Sequence, residues 1–142
     1  MIKTTSKSKE EHLSEITILL IDDSHIMRGL QTKILHSMGL EYILCAEHGK
    51  EALTVLEKSN YKIDFILCDH NMPVMSGLEF LKTIKTIAEG THIPVIMCSA
   101  NGGKNVDKAL NLGAADYITK PFTSDEFKSV ILKHTYNPEK II

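Results

Sequence analysis

Five short strand-like runs constrain the fold of this chain more than any other feature of its sequence. They are ITILLI (16–21), YILCA (42–46), DFILC (64–68), PVIMC (94–98) and DYIT (116–119). The first four are apolar without polar alternation, which is typical of strands that are covered on both faces. Burial on both faces favours a parallel sheet with helices packed against it.

Segments with the apolar spacing of helices separate and follow these runs. Ser76 with Glu79, and Thr123 with Glu126, have the spacing of a capping box at the start of the third and fifth segments. A glycine is expected to end the first and fourth helices. The helical positions with these glycines are Met27, Leu30, Ile34, Met38 and Gly39; Ala52, Val55 and Leu56; Leu78, Leu81, Ile84 and Lys85; Val106, Ala109, Leu110 and Gly113; and Phe127, Val130 and Ile131.

This alternation of strands and helices predicts an α/β fold with (βα)₅ order in one domain. The chain has 142 residues, a length at which a single domain can bury a core. We expect a flavodoxin-like three-layer sandwich, with a five-stranded parallel sheet in the order 2-1-3-4-5 and helices on both faces. The domain is predicted over residues 15–134, between flexible tails at 1–14 and 135–142.

Composition and charge exclude several classes of function. Sixteen basic and 18 acidic side chains give a formal charge of −2, so we expect no direct binding of nucleic acid. No signal-peptide core is present and no apolar run approaches the roughly 18 residues that span a bilayer, so we expect a cytoplasmic protein without membrane insertion. Cys45, Cys68 and Cys98 are expected to be buried thiols, and the scattered histidines lack the spacing of a zinc site.

Four of the five runs are followed or ended by polar residues with reactive or metal-binding side chains. Asp22 and Asp23 follow the first run, Asp69 the third, Ser99 the fourth and Lys120 the fifth. Each residue alone has an ordinary structural interpretation, as a helix cap, a turn residue or a solvated lysine. Their joint occurrence favours a ligand site, because ligands of open α/β sheets bind at the carboxyl ends of the strands where the winding direction reverses.

Three carboxylates at such a reversal point need a cation. A pair of carboxylates ~4 Å apart repels by about 4 kcal/mol at an effective dielectric constant of about 20. Carboxylate and carbonyl oxygens with coordination positions left open for water favour Mg²⁺. A Mg²⁺ ion beside a lysine and a hydroxyl is typical of phosphoryl-transfer sites, in which one carboxylate can attack phosphorus.

At these positions the chain resembles the receiver domains of two-component response regulators, especially the single-domain chemotaxis type. The matching segments are LLIDDSHIMR, LCDHNMPVMSGLEFL, the dipeptide SA in IMCSAN, and KPF in DYITKPF. They occur in order, each at the end of a strand-like run, and the resemblance covers residues 15–134.

The resemblance implies a role for each acidic residue of the site. Asp69 would be the phosphoacceptor, and it would take a phosphoryl group from a histidine kinase. Asp23, Asp69 and the backbone carbonyl of Asn71 would ligate Mg²⁺, with Asp22 helping through water. Such a domain is not an enzyme with an external substrate, because it catalyses only its own phosphorylation and dephosphorylation.

The resemblance also implies contacts for the phosphoryl group and a switch that senses it. Ser99 and Lys120 would contact the phosphoryl oxygens, and the backbone N–H groups of Asn71 and Ala100 would donate to them. Ser99 and Tyr117 would form the switch. An aromatic residue that simply packs on the last strand explains Tyr117 equally well.

The implied partners are proteins. A histidine kinase or a histidine phosphotransfer protein would donate the phosphoryl group, and a downstream target would bind the face formed by helix four, strand five and helix five. No DNA-binding or enzymatic segment follows in this sequence, so we expect output through another protein, in chemotaxis or another phosphorelay, from a monomer or weak dimer. The residues expected on this face are Lys104, Val106, Lys108, Tyr117 and Lys128.

Two other classes of protein remain open. A Mg²⁺-dependent phosphatase or phosphotransferase of the haloacid dehalogenase type needs a second aspartate two residues after the nucleophile and a cap over the site, but the residue two positions after Asp69 is Asn71. A flavodoxin-like cofactor binder needs a phosphate loop after the first strand. Asp22 and Asp23 occupy that position and would repel the phosphate.

Overall fold

The computed structural model describes residues 9–100 and 104–135. The strands are β1 (Thr17–Ile21), β2 (Tyr42–Ala46), β3 (Phe65–Cys68), β4 (Val95–Ser99) and β5 (Asp116–Thr119). The helices are α1 (Lys9–Ser14), α2 (His25–Ser37), α3 (Gly49–Lys58), α4 (Gly77–Ile84), α5 (Lys104–Asn111) and α6 (Ser124–Thr135). Helices one to five of the sequence prediction correspond to α2 to α6. None of the described helices is long and apolar enough to cross a membrane.

The five strands form one parallel sheet in the order β2-β1-β3-β4-β5, as the sequence predicts. Ile21 at the end of β1 pairs with Ala46 at the end of β2 and with Cys68 at the end of β3. Ser99 at the end of β4 pairs with Thr119 at the end of β5. In these three strand pairs, the carboxyl ends of the two strands are therefore aligned. The residues that follow the strands meet at one edge of the sheet.

Alternate residues of the central strands point into two apolar layers. Leu19 and Ile21 lie in the layer that packs against α3, α4 and α5, whereas Ile18 and Leu20 lie in the layer that packs against α1, α2 and α6. All four side chains are fully buried. Helices on both faces of the sheet form the three-layer sandwich, which confirms the predicted flavodoxin-like α/β fold.

Local side-chain contacts determine where several helices begin and end. Glu79 N donates to Ser76 Oγ at 3.2 Å and Ser76 N donates to Glu79 Oε1 at 3.0 Å, which completes a capping box at the start of α4. Thr123 and Glu126 form the same reciprocal pair at the start of α6. Past the end of α2, Gly39 has a φ of 90°, a conformation that favours glycine. These predicted helix ends are confirmed.

Strand β2 differs from the prediction of a strand covered on both faces. It lies at an edge of the sheet, and Tyr42, Leu44 and Cys45 are exposed. The expectation that all three cysteines are buried is therefore wrong for Cys45, whereas Cys68 and Cys98 are buried. An apolar run does not distinguish an edge strand from a central one, because strand composition reflects the neighbours that the fold supplies.

The prediction of a flexible tail over residues 1–14 is wrong for residues 9–14, which form α1. Nε2 of His12 lies 2.7 Å from the carbonyl oxygen of Thr135, at the end of α6. Leu13 is buried in the layer shared with α2 and α6. The His12 contact joins residues 123 positions apart, and local sequence patterns do not report contacts of that range. The remaining tail residues, 1–8 and 136–142, lie outside the described residues.

We expect His12→Ala to lower the free energy of unfolding by about 1–3 kcal/mol, because it leaves the buried carbonyl of Thr135 without its donor. His12 and Thr135 are 3% and 4% exposed. Urea unfolding measures the change. His36→Ala is the matched control, since His36 is exposed in the last turn of α2. Equal stability of the two variants would contradict the packing of α1 on the domain.

Gly77 at the start of α4 packs directly against the backbone around Asp69. A Cβ at this position would overlap the carbonyl oxygen of Asp69 and would lie 2.9 Å from Cα of His70. Backbone atoms cannot move aside cheaply, so we expect Gly77→Ala to lower the free energy of unfolding by about 1–3 kcal/mol.

Gly29→Ala is the control for this substitution, because Gly29 lies within α2 and has open space where its Cβ would stand. Alanine is the better helix former, so this variant should be more stable by about 0.5–1 kcal/mol. Urea unfolding of both variants checks the pair. Changes of the same sign would contradict the close packing inferred at Gly77.

Candidate functional site

The topology of the sheet brings the predicted site residues together at its carboxyl edge. Asp22 directly follows β1 and Asp69 directly follows β3, and the last residues of these two strands are paired. Ser99 is the last residue of β4 and Lys120 directly follows β5. The N–H of Lys120 donates to the carbonyl oxygen of Ser99 at 2.9 Å, and the peptide bond between Lys120 and Pro121 is cis.

Asp22, Asp23 and Asp69 form a cluster of three carboxylates. One carboxylate oxygen from each residue lies within 4.8 Å of those from the other two. Asp22 and Asp69 are 1% and 8% exposed, whereas Asp23 is exposed. Each close pair of negative charges at this spacing costs on the order of a few kcal/mol, so the cluster is stable only next to positive charge.

Lys120 supplies part of that positive charge. Its Nζ lies 3.0 Å from Asp22 Oδ2 and 3.5 Å from Asp69 Oδ1. Burial alone would lower the pKa of Lys120, but its hydrogen bond to Asp22 and the charges of Asp69 and Asp22 outweigh burial and raise this pKa. The ammonium group therefore remains charged between the two carboxylates.

One lysine does not neutralise the cluster. Burial raises the pKa of Asp69, the charge of Lys120 opposes this shift, and the charge of Asp22 adds to it. The net direction is upward, which means that the surroundings of Asp69 still disfavour its negative charge. A further cation beside the carboxylates would offset this cost.

Backbone and side-chain donors hold the two buried carboxylates in place. Asp22 Oδ1 accepts from the N–H of Ser24 at 2.9 Å, and Asp69 Oδ1 accepts from the N–H of His70 at 2.8 Å. Nη1 of Arg28, in the first turn of α2, donates to the carbonyl oxygen of Asp22 at 2.7 Å. Sequence reasoning missed Arg28, although a basic residue one turn into the helix that follows a strand-end aspartate is a usable signal.

Ser99 and Tyr117, the predicted switch residues, lie close together. Ser99 is 1% exposed. Burial raises the pKa of Tyr117, and the nearby side chain of Ser99 opposes this shift. Tyr117 also packs partly against the apolar layer of α3, α4 and α5. Tyr117 therefore both packs against the apolar layer and lies close to Ser99.

The remaining predicted site residues lie on the loops at the same edge. Asn71 follows Asp69 by two positions in the loop before α4, and Ala100 follows β4; both are exposed. Of the predicted output face, Lys108 is exposed and Val106 and Lys128 are partly exposed. The side chain of Lys104 lies outside the described residues.

The donor atoms of the cluster suit a hard divalent cation. All three side chains offer carboxylate oxygens, the ligand type that Mg²⁺ prefers, and the exposure of Asp23 leaves the cluster accessible to water that would complete the coordination. The two buried aspartates and one lysine leave the site negative, which a cation would compensate. The residues present therefore fit Mg²⁺.

Comparison with known proteins gives matches over most of the chain. The family described as response regulator receiver domain matches residues 18–132. The chemotaxis protein CheY1 of Helicobacter pylori is 39% identical over 112 residues, which cover 78% of this chain and 90% of that protein. A chemotaxis protein CheY homolog of Campylobacter jejuni is 39% identical over 112 residues, covering 78% of this chain and 85% of that protein.

Solved structures agree with the sequence matches. The chemotaxis protein CheY4 of Vibrio cholerae superposes with a TM-score of 0.76 at 27% identity, covering 83% of this chain and 97% of that one. CheY in the CheX–CheY–BeF₃–Mg²⁺ complex of Borrelia burgdorferi superposes with a TM-score of 0.79 at 28% identity, covering 86% of this chain and 90% of that one. The chain therefore belongs to the family of response regulator receiver domains.

Proposed function

We propose that this protein is a response regulator of two-component or phosphorelay signalling, of the chemotaxis type, and that it accepts a phosphoryl group on Asp69. A histidine kinase or a histidine phosphotransfer protein donates the group. The observation that carries this proposal is the position of Lys120, whose Nζ lies 3.0 Å from Asp22 and 3.5 Å from Asp69 in a cluster of three carboxylates. A carboxylate nucleophile beside a lysine and a metal-binding cluster suits phosphoryl transfer.

Asp69 is the best nucleophile of the three because it combines an available oxygen with a contact to Lys120. Asp69 Oδ1 accepts a backbone N–H and faces Lys120, whereas Oδ2 forms no hydrogen bond within the described residues. Asp22 uses both of its oxygens, Oδ1 for the N–H of Ser24 and Oδ2 for Lys120. Asp23 is exposed and forms no ion pair among residues 9–100 and 104–135.

The transfer exchanges one bond to phosphorus for another. The P–N bond of the donor phosphohistidine breaks as a P–O bond to Asp69 forms, and the donor imidazole keeps the bonding electron pair and takes up a proton. Lys120 offsets the negative charge of the transferring group. Mg²⁺, held by Asp22, Asp23, Asp69 and the backbone carbonyl of Asn71, would supply the remaining charge neutralisation.

Donors at the carboxyl edge of the sheet are proposed to hold the phosphoryl oxygens after transfer. The Ser99 hydroxyl and the backbone N–H groups of Asn71 and Ala100 would donate to them, and Lys120 would pair with them. These residues lie at the same edge as Asp69. The domain acts on no external substrate in this account, and it catalyses only its own phosphorylation and dephosphorylation.

The proximity of Ser99 to Tyr117 supports a proposed switch. When the Ser99 hydroxyl turns to the phosphoryl group, the surroundings of Tyr117 change, and the tyrosine ring shifts in response. That change would alter the face of α5, β5 and α6, which includes Val106, Lys108 and Lys128. A downstream protein in the cytoplasm would bind this face. The receiver domain that we propose for this chain spans residues 15–134.

We expect acetyl phosphate with Mg²⁺ to add one phosphoryl group to the protein, measured by intact mass, and hydroxylamine to remove it as an acyl phosphate. Asp69→Asn keeps the shape of the side chain but not the carboxylate nucleophile, so this variant should take up no label. Asp107→Asn, an exposed aspartate of α5, is the matched control and should label fully. Undiminished labelling of the Asp69→Asn variant would exclude Asp69 as the phosphoacceptor.

A further inference from the structure

The outer edge of β2 has no strand paired with it in the part of the chain that the structure describes. Within the described residues, β2 pairs with β1 alone and forms the end of the sheet. The N–H of Asp22 donates to the carbonyl oxygen of Ala46 at 3.1 Å, so the backbone groups of Ala46 face β1. Because alternate residues of a strand direct their backbone groups to opposite sides, those of Ile43 and Cys45 point away from the sheet.

The five residues of β2 are apolar, and none of them is a proline or a charged residue that would block pairing with another strand. Tyr42 is 58% exposed, Leu44 is 38% exposed, and Cys45 is exposed between the neighbouring backbone groups. The strand contains no proline and no lysine, the residues that most often prevent pairing with another chain. An open row of donors and acceptors with exposed apolar side chains is a template for one more strand.

The charges beside β2 disfavour pairing of its outer edge with the same edge of a second copy of this chain. Glu41 precedes the strand, Glu47 follows it, and both are exposed. In the antiparallel register that pairs all five residues of two copies, Leu44 faces Leu44 and each Glu41 faces a Glu47. Two pairs of like charges then stand opposite each other, which destabilises the pairing. A strand with a basic residue at each end would instead be attracted electrostatically by the same two glutamates.

We propose that the outer edge of β2 binds an extended segment of another protein by strand addition. The segment has apolar residues at alternate positions and a lysine or arginine at each end. Its backbone pairs with Ile43 and Cys45, its apolar side chains cover Tyr42 and Leu44, and its basic ends pair with Glu41 and Glu47. This interface lies at the edge of the sheet opposite β5, away from the face proposed for output.

The test uses a capped synthetic heptapeptide with three valines at alternating positions and a lysine at each end. It is titrated into the unphosphorylated full chain, so the result does not depend on the proposed phosphoryl transfer. We expect saturable binding by calorimetry, with the largest amide shifts in NMR spectra at Ile43 and Cys45. The absence of binding, or shifts centred elsewhere, would overturn the proposal.

A charge exchange tests the recognition itself. The double variant Glu41→Lys with Glu47→Lys should bind the lysine-ended peptide about tenfold more weakly, and it should gain affinity for the same peptide with glutamate at each end. The double variant Glu57→Lys with Glu89→Lys carries the same charge change on exposed residues outside β2 and should bind like the unmodified protein. Equal affinities for all three proteins, or a dimer of the unmodified protein in sedimentation, would contradict the proposal.

Discussion

The ion pairs of Lys120 with Asp22 and Asp69 are the interaction on which the rest of the site depends. Two carboxylates that are 1% and 8% exposed, with a third close by, repel each other strongly in a partly desolvated place. One ammonium group between them reduces this cost without removing it, as the raised pKa of Asp69 indicates. The remaining negative charge makes the site suitable for a divalent cation. In the proposed function, the lysine and that cation would together allow Asp69 to take a phosphoryl group.

The parallel sheet is what places these charges together. Asp22 and Asp69 follow strands whose last residues pair, and Lys120 reaches the same point from β5 across the buried end of β4. The loops are held by contacts that leave little freedom, because Gly77 has no room for a Cβ beside the Asp69 carbonyl and Arg28 donates to the carbonyl of Asp22. A scaffold of this kind positions the charges before any ligand arrives, so little ordering remains to be done on binding.

The sequence predicts the strands and the strand-end residues through local patterns, namely apolar runs, glycine stops and capping boxes. The sheet order followed from the general topology rules of parallel sheets. What sequence reasoning missed depends on contacts between distant parts of the chain. The predicted order places β2 at an edge, but its apolar run resembles those of central strands and did not indicate that Cys45 is exposed there. Helix α1 is stable through His12 and Leu13, whose partners include Thr135 at the far end of the chain. Arg28 donates to the backbone carbonyl of Asp22, and only its place one turn into the helix after a strand-end aspartate could have pointed to this contact.

The proposed phosphoryl site at Asp69 is best tested by a crystal structure of the protein with Mg²⁺ and beryllofluoride, because beryllofluoride reproduces the phosphoryl group of an aspartyl phosphate. We expect beryllium bonded to a carboxylate oxygen of Asp69, with Mg²⁺ beside Asp22 and Asp23 and with Lys120 Nζ within hydrogen-bond distance of a fluorine. We also expect the Ser99 hydroxyl to turn to the bound group. Beryllofluoride on another residue, or a metal ion bound away from these aspartates, would contradict the proposed site.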